Sequence, residues 1–379
     1  MTDTPPQELV VLREPLAGER RVSATPDTVK DLVARGFHVV VEPAAGRYAL
    51  HSDDDYTAAG ATIAAADLAT ADIVLHVRPL SVEQAELLKK GAVTVGFATS
   101  EPDSVLVLRD RGVSALAVEL VPRISRAQSM DALTSQALVT GYRSVLEAAM
   151  RLPRFFPLFM TAAGTVPPAK VLVLGAGVAG LQAIATAKRL GAQVSANDIR
   201  AASADEVRSM GGTFIDLSLE SADASGGYAK ELAADSAARQ QELLTPYLAK
   251  SDVVITTAGV PGRPAPRLVT KAMLSAMKPG SVVVDLLAEN GGNVEGSIPG
   301  QDVIIGGVTV VGMKDAASTL PVDASKLYAK NLFNLLALGA KDGQFVLNLE
   351  DEVLAGSLLT HEGRITHEPT AARLERTPR

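Results

Sequence analysis

The chain has 379 residues, more than one compact domain of ordinary size holds, so two domains are expected. Its net charge of -7, without a basic run or an aromatic-basic pattern, argues against a nucleic-acid partner. The absence of cysteine removes disulfides, thiolate metal sites and thiol nucleophiles together, and His38, His51, His76, His361 and His367 show no metal-ligand spacing, so no metal is expected. The N-terminus lacks a basic start before an apolar core, and no apolar stretch approaches the roughly 20 residues of a membrane span. The expectation is a cytoplasmic chain without a direct membrane span.

Strand and helix patterns alternate from the start: Leu9 to Leu12, a helix near Asp27 to Arg35, Phe37 to Val41, Ile73 to Val77, and a helix near Val82 to Lys90. Val93 to Phe97, a helix near Ser104 to Arg111 and Ala115 to Val118 continue the rhythm of parallel βα units. This half has no glycine fingerprint and reads as a non-cofactor domain. A helix with Leu138, Tyr142, Val145 and Ala149 on one face ends before Pro153 and bridges to the second half.

There the strand Val171 to Leu174 opens a second alternation. A helix near Ala204 to Met210, the strand Thr213 to Leu217, a small-residue segment Glu220 to Ala229, and a helix near Ala238 to Leu248 follow. The strand Val253 to Thr257, a helix near Lys271 to Met277, the strand Val282 to Leu286 and the run Val308 to Val311 complete a doubly wound sheet. A helix from Ala324 to Leu338, a short strand Phe345 to Leu349 and a polar tail suggest a return to the first domain. The expected fold is α/β: two Rossmann-like doubly wound parallel-sheet domains with a cleft between them, residues 1–136 plus 323–379 and residues 137–322.

The most informative segment is Val-Leu-Val-Leu-Gly-Ala-Gly-Val-Ala-Gly at 171 to 180. Gly175 allows a tight turn after the buried strand, Gly177 lets a pyrophosphate approach bare backbone, and Gly180 lets the next helix lie close to the sheet. The amides of Val178 and Ala179 then face the phosphates from the positive end of that helix. Asp198 stands 18 residues after Gly180, where a carboxylate takes ribose hydroxyls and repels a 2′-phosphate, which favours NAD(H) over NADP(H). Its neighbours Ile199 and Arg200 border the same site. The Arg200 guanidinium either tolerates a 2′-phosphate, stacks on the adenine, or pairs with a phosphate or carboxylate.

Two further loops fall at the carboxyl ends of strands, where open α/β folds bind ligands. One carries Thr257, Ala258 and Gly259 before Val260-Pro261-Gly262, and the other carries Glu289 before Asn290-Gly291-Gly292. Both read either as ordinary turns or as contacts for the second ribose and the nicotinamide. The stretch Arg123 to Ser135 packs an Arg, an amide, an acid and hydroxyls together: Asp131 with Thr134 can start a helix, or Gln128 and Asp131 can bind carboxamide or ribose with Arg123 on the phosphate. Tyr228, next to Gly226 and Gly227, is either the tip of a lid or an exposed loop tyrosine.

The fingerprint with Asp198, Arg-Ile-Ser-Arg-Ala-Gln-Ser-Met-Asp-Ala-Leu at 123 to 133, Gly-Gly-Tyr-Ala-Lys-Glu at 226 to 231 and the loop from Thr256 to Gly262 resemble the NAD(H)-binding component of proton-translocating NAD(P) transhydrogenase. The 123 to 133 stretch is the specific part of the match. The resemblance implies a homodimer of two Rossmann-like domains per chain, the first completed by the C-terminal segment. It also implies docking on an NADP(H)-binding component above a membrane proton-channel component. The chain would then be peripheral at the inner membrane through its partners.

Hydride would pass directly between NAD(H) and NADP(H), coupled to proton movement, with Arg123, Gln128 and Asp131 orienting the nicotinamide end. Thr134 stands where the family usually has a serine, and Tyr228 falls in a mobile loop. The chain departs from the family at Met313 to Thr319, where a Pro-Ser-Arg is usual. Alanine dehydrogenase shares the fold and resembles the chain at Glu19-Arg20-Arg21-Val22. It needs a lysine after its third strand and a histidine on the next. His76-Val77-Arg78-Pro79 offers no lysine, and Thr94 to Thr99 offers no histidine. A catalytically silent NAD(H)-binding module is the third reading.

Overall fold

A computed structural model describes residues 5–200, 202–217, 228–259 and 264–375. The chain forms two compact units, Met1–Gln136 with Ala317–Arg379, and Ala137–Ala316. The return to the first unit begins at Ala317 rather than at 323. Ser318 causes this: its hydroxyl accepts the Arg20 amide at 2.6 Å and lies 3.0 Å from the Gly18 carbonyl and 2.8 Å from the Glu19 carboxylate.

In the first unit the strands β1 (Glu8–Val11), β2 (His38–Val41), β3 (Thr62–Ile63), β4 (Ile73–Leu75), β5 (Val93–Gly96) and β6 (Ser114–Ala117) are all parallel. The second unit contains β7 (Phe159–Thr161), β8 (Gly164–Val166), β9 (Lys170–Leu174), β10 (Gln193–Asn197), β11 (Thr213–Phe214), β12 (Val253–Thr256), β13 (Val282–Asp285), β14 (Asp302–Ile305) and β15 (Val308–Gly312). The chain then adds β16 (Ala340–Lys341), β17 (Gln344–Phe345), β18 (Leu358–His361) and β19 (Arg364–Ile365).

The first sheet runs β19-β18-β6-β5-β4-β1-β2-β3 and the second β11-β10-β9-β12-β13-β15-β14. In each, the strand that begins the unit's alternation sits at the point where strand order reverses: β1 between β2 and β4, and β9 between β10 and β12. A doubly wound sheet opens its ligand crevice there, at the carboxyl ends of the strands. The residues make this possible because β4, β6, β12 and β13 are buried at every position, as strands covered on both faces require.

Several local readings need correction. The helix Ala132–Arg151 buries Val139, Val145 and Ala148 and packs Ala149 against the core, but leaves Leu138 and Tyr142 about 40% exposed, so only the second half of the expected apolar stripe lies on its core face. Small residues, Gly141 and Ser144, enter the interior instead, because this helix approaches another backbone closely. The helix expected from Ala238 begins at Tyr228 and runs to Lys250. The strand expected at Phe345 to Leu349 shrinks to Gln344–Phe345, paired only with Ala340–Lys341.

The tail is not merely polar: β18 adds antiparallel to β6, with Leu358 and Leu359 buried and Thr360 Oγ1 donating to the Val113 carbonyl at 2.9 Å. In the second unit two hairpins escaped notice. One joins β7 to β8, and the other joins β14 to β15 through Gly306 and Gly307, whose φ angles of 59° and 81° give the turn that only glycine-like residues take easily. Among the described residues no helix is long and apolar enough to cross a membrane.

Candidate functional site

The glycines of the fingerprint separate into two kinds. Gly175 has φ 101°, and a Cβ there would lie 2.6 Å from Thr257 Oγ1 and 3.0 Å from the Ala258 amide nitrogen. At Gly180 a Cβ would stand 1.9 Å from the Gly175 carbonyl oxygen, so the helix Val178–Arg189 can lie against the turn only without a side chain. Packing within the unit accounts for both. Gly177 is different: its φ of -77° suits any residue, and a Cβ would meet nothing within 4 Å. The fold does not need a glycine there, whereas a phosphate group seated on the amides of Val178 and Ala179 does.

Gly141, which the sequence reading passed over, supports this turn from the other side. A Cβ on it would stand 2.1 Å from the Ala179 carbonyl oxygen, so the helix Ala132–Arg151 holds the first turn of the fingerprint helix by backbone contact. Its signal was a lone glycine inside a helical pattern.

Asp198 follows β10 directly. One carboxylate oxygen accepts the Ala176 amide at 2.7 Å, and the other accepts the Arg200 amide at 2.8 Å and Arg200 Nε at 3.0 Å. Partial burial pushes its pKa up, but the Arg200 side chain and the two amides outweigh this and hold the carboxyl below its usual range. Of the alternatives for Arg200, the structure realises pairing with a carboxylate. Ile199 between them is 84% exposed, an apolar surface beside the acid.

The loop after β12 is tied to the turn. Thr257 donates its hydroxyl to the Gly175 carbonyl at 3.0 Å and its amide to the Leu174 carbonyl at 2.8 Å. Ala258 is partly buried and its carbonyl accepts Asn293 Nδ2 at 2.8 Å, while a Cβ on Gly259 would meet the Leu287 side chain. Val260 to Gly262 lie outside the described residues. The loop after β13 is organised by Asp285, fully buried, which accepts the amides of Leu287, Asn293 and Val294. Asp285 and Asn293 were missed as positioning residues. Glu289 accepts the amide of Asp315 at 3.0 Å, so it anchors the segment that departs from the family pattern. Gly227 lies outside the described residues, and Tyr228 is the first residue of a helix.

In the first unit, Arg123, Gln128, Asp131 and Thr134 share one segment around a short 3-10 turn, Ser125–Met130. Asp131 accepts both the amide and the hydroxyl of Thr134, at 2.9 and 2.6 Å, and thereby caps the helix Ala132–Arg151. Arg123 and Gln128 are exposed. The segment is pinned by residues the sequence reading overlooked: Asn331 and Asn334 both donate to the Ser129 carbonyl, and Arg126 is paired with Asp351 and Glu352. Those partners stand in the C-terminal segment, and no local pattern links them to residue 129.

The crevice of the first unit holds charge in place of glycines. Glu19 binds Arg21 and Arg78, each at 2.7 Å; burial would raise its carboxyl, but the bonds from Arg21 and the nearby Arg78 prevail and bring it to about 2. Glu14 accepts the amides of Val77 and Arg78, and burial pushes its carboxyl up to about 7. His76 is buried with Nδ1 2.7 Å from the Arg78 carbonyl, and burial lowers its pKa to about 4, so it is neutral near pH 7.

The strand order, the three glycines, the acid after the second strand and the bound neighbouring loop define a dinucleotide-binding unit of the Rossmann type, alongside a unit of the same order without a phosphate turn. The chain belongs to the alanine dehydrogenase/PNT family: residues 10–140 match its N-terminal domain and residues 144–368 its C-terminal domain. An NAD(P) transhydrogenase alpha-subunit polypeptide of Rhodospirillum rubrum is 49% identical over 376 residues, covering 95% of this chain and 98% of its own length.

The alanine dehydrogenase of Halomonas elongata is 30% identical, over 96% of each chain. Among solved structures, a transhydrogenase from Sinorhizobium meliloti superposes with a TM-score of 0.83 at 42% identity, over 96% of this chain and all of that one. An L-alanine dehydrogenase gives 0.78 at 25% identity, over 97% of this chain and all of that one.

The two kinds of glycine are separable by stability. Gly180→Ala is expected to cost about 3 kcal/mol or more, because a backbone contact must open, and Gly177→Ala about 1 kcal/mol or less. Urea unfolding followed by circular dichroism measures both. Equal losses would mean that packing explains Gly177 as well.

Proposed function

We propose that the chain is the NAD(H)-binding component of a proton-translocating transhydrogenase. In this reading it exchanges hydride with NADP(H) held on a separate component, and the exchange is coupled to proton movement through a membrane component. The observation that carries the reading is Gly177, a glycine that the fold leaves unexplained and a bound pyrophosphate explains. The names and full-length match of the transhydrogenase alpha-subunit relatives support the reaction class.

The residues present fit the cofactor. Amides of Val178 and Ala179 at a helix N-terminus stabilise the pyrophosphate, and Asp198, held ionised, receives ribose hydroxyls once Arg200 shifts toward the adenine or solvent. Ile199 gives the adenine an apolar face. Thr257, Ala258 and Gly259 line the path toward the second ribose, and Glu289 keeps the adjoining segment in place. When bound, the nicotinamide gives or takes hydride, which needs no general acid or base from the protein. Arg123, Gln128, Asp131 and Thr134 therefore act by orienting the nicotinamide end and excluding water. The capped geometry of Asp131 and Thr134 suits a positioning role, since both side chains are already fixed.

Localisation follows from the partners: cytoplasmic, and peripheral at the inner membrane. The chain forms a homodimer in this reading, supported by the exposed apolar surface of the second unit, where Phe155, Leu158, Phe159 and Met160 continue from Leu138 and Tyr142 along the chain. A monomeric surface seldom leaves such side chains uncovered together.

Three measurements bear on this. Gly177→Ala should weaken NADH binding about tenfold or more, and Asp198→Ala should weaken it and narrow the preference over NADPH. Equal affinity of the native chain for NADH and NADPH would remove Asp198 as the selector. Sedimentation at micromolar concentration should give a dimer that Phe159→Asp with Met160→Asp dissociates; a monomeric native chain would overturn that part.

Transfer is tested directly by mixing the chain with an NADP(H)-binding transhydrogenase component, NADH and an NADP analogue, beside a cuvette of pyruvate and ammonia with NADH. Turnover is expected only in the first, and Gln128→Asn should reduce it at least about tenfold with NADH affinity nearly unchanged. Turnover only in the second would make the chain an amino-acid dehydrogenase, and silence in both would leave a binding module.

A further inference from the structure

We propose that the first unit carries an anion site of its own, a cavity beyond the carboxyl ends of β1 and β2 that takes a small phosphorylated anion on Arg13, Arg20 and Arg47. The cavity has a volume of about 450 Å³ and is walled by residues 13–21, after β1, and by Ala44, Ala45, Arg47 and Tyr48, after β2. This is a volume that small-molecule sites commonly have.

Among the described residues the three guanidiniums make no ion pair or hydrogen bond, although the chain as a whole carries a net charge of -7. Arg20 is placed by stacking, with its guanidinium carbon 5.8 Å from the centroid of the Tyr48 ring. Of the carboxylates nearby, only Glu19 is paired with guanidiniums, and Asp53 accepts the Ala44 amide at 2.9 Å. Glu19 is shared between Arg21 and Arg78, Glu14 is turned onto the amides of Val77 and Arg78, and Glu42 accepts the Arg13 amide at 2.7 Å. Since burial also raises the Glu14 carboxyl to about 7, it is only partly ionised near neutral pH. Three guanidiniums that line one concavity, none of them in an ion pair among the described residues, match the oxygens of a phosphate group, which guanidinium binds in pairs of parallel hydrogen bonds.

The walls are also rigid. Ala44 and Leu50, at φ 62° and 63°, hold the segment bearing Arg47 and Tyr48 in a conformation that side chains seldom adopt. Gly46 packs so closely on Tyr56 that a Cβ would stand 2.6 Å from its hydroxyl oxygen, and that hydroxyl is fixed by the Ala24 carbonyl at 2.8 Å. A preformed cavity loses little on binding and suits a small molecule.

The test is calorimetric titration of the full chain with inorganic pyrophosphate, with and without saturating NADH. The expected result is one saturable site per chain that survives NADH. It should lose about tenfold or more in affinity in Arg20→Ala with Arg47→Ala, and a smaller factor in Arg13→Ala, with the circular dichroism spectrum unchanged. No saturable binding, binding displaced by NADH, or binding undiminished in the double variant would each overturn the proposal. The comparison of native chain with arginine variants stands whether or not NADH binds, so its failure is distinct from failure of the dinucleotide reading.

Discussion

The second unit depends on how closely four backbone segments can approach at the carboxyl end of β9. Gly180 lets the fingerprint helix touch the Gly175 carbonyl, Gly175 makes room for Thr257, and Gly141 brings a further helix against Ala179. Each contact is closer than a Cβ permits, so the turn is held from the β12 loop and from the bridging helix at once. A turn over-determined in this way keeps its free amides aimed at one point, which is what binding an anion by backbone dipoles demands. Gly177 alone of the three fingerprint glycines is spared from this packing.

The two units are variations on one strand order with opposite electrostatic solutions at the crevice. In the second, bare amides and a helix end offer partial positive charge, and the acid after β10 is kept ionised by Arg200 and two amides. In the first, side-chain charge does the work: Glu19 is buried and survives as a carboxylate only because Arg21 and Arg78 both reach it. A buried charge with a partner removed costs about 3–5 kcal/mol, so these three residues form a structural unit. Arg21 and Arg78 are both engaged by Glu19, His76 is neutral and enclosed, and Glu14, its carboxyl raised to about 7 by burial, is a group of this crevice that titrates near neutral pH.

How much could be read beforehand differs by residue. The fingerprint was legible because its three glycines, Gly175, Gly177 and Gly180, fall in one strand-to-helix turn whose chemistry is local. Asp198 was legible for the same reason, since one βαβ unit sets its distance. The hairpin turn at Gly306 and Gly307 was equally local, lying between two β-branched runs, and was passed over. The exposure of Leu138 and Tyr142 had no local signal: hydrophobic spacing marks an apolar stripe, but not whether the neighbouring element meets that stripe or the small residues beside it.

What the amino-acid sequence determined by itself was therefore the alternation of strands and helices, the doubly wound class, and the one turn whose ligand chemistry is written in adjacent residues. Only the tertiary structure decided that Asn331, Asn334 and Asp351 hold the segment around Gln128, that Gly141 supports the fingerprint turn, and that three arginines from two loops line one cavity. These pairings join residues far apart in the chain. They arise from how sheets order their strands and where the C-terminal segment adds to the first, and neither leaves a pattern in any short stretch.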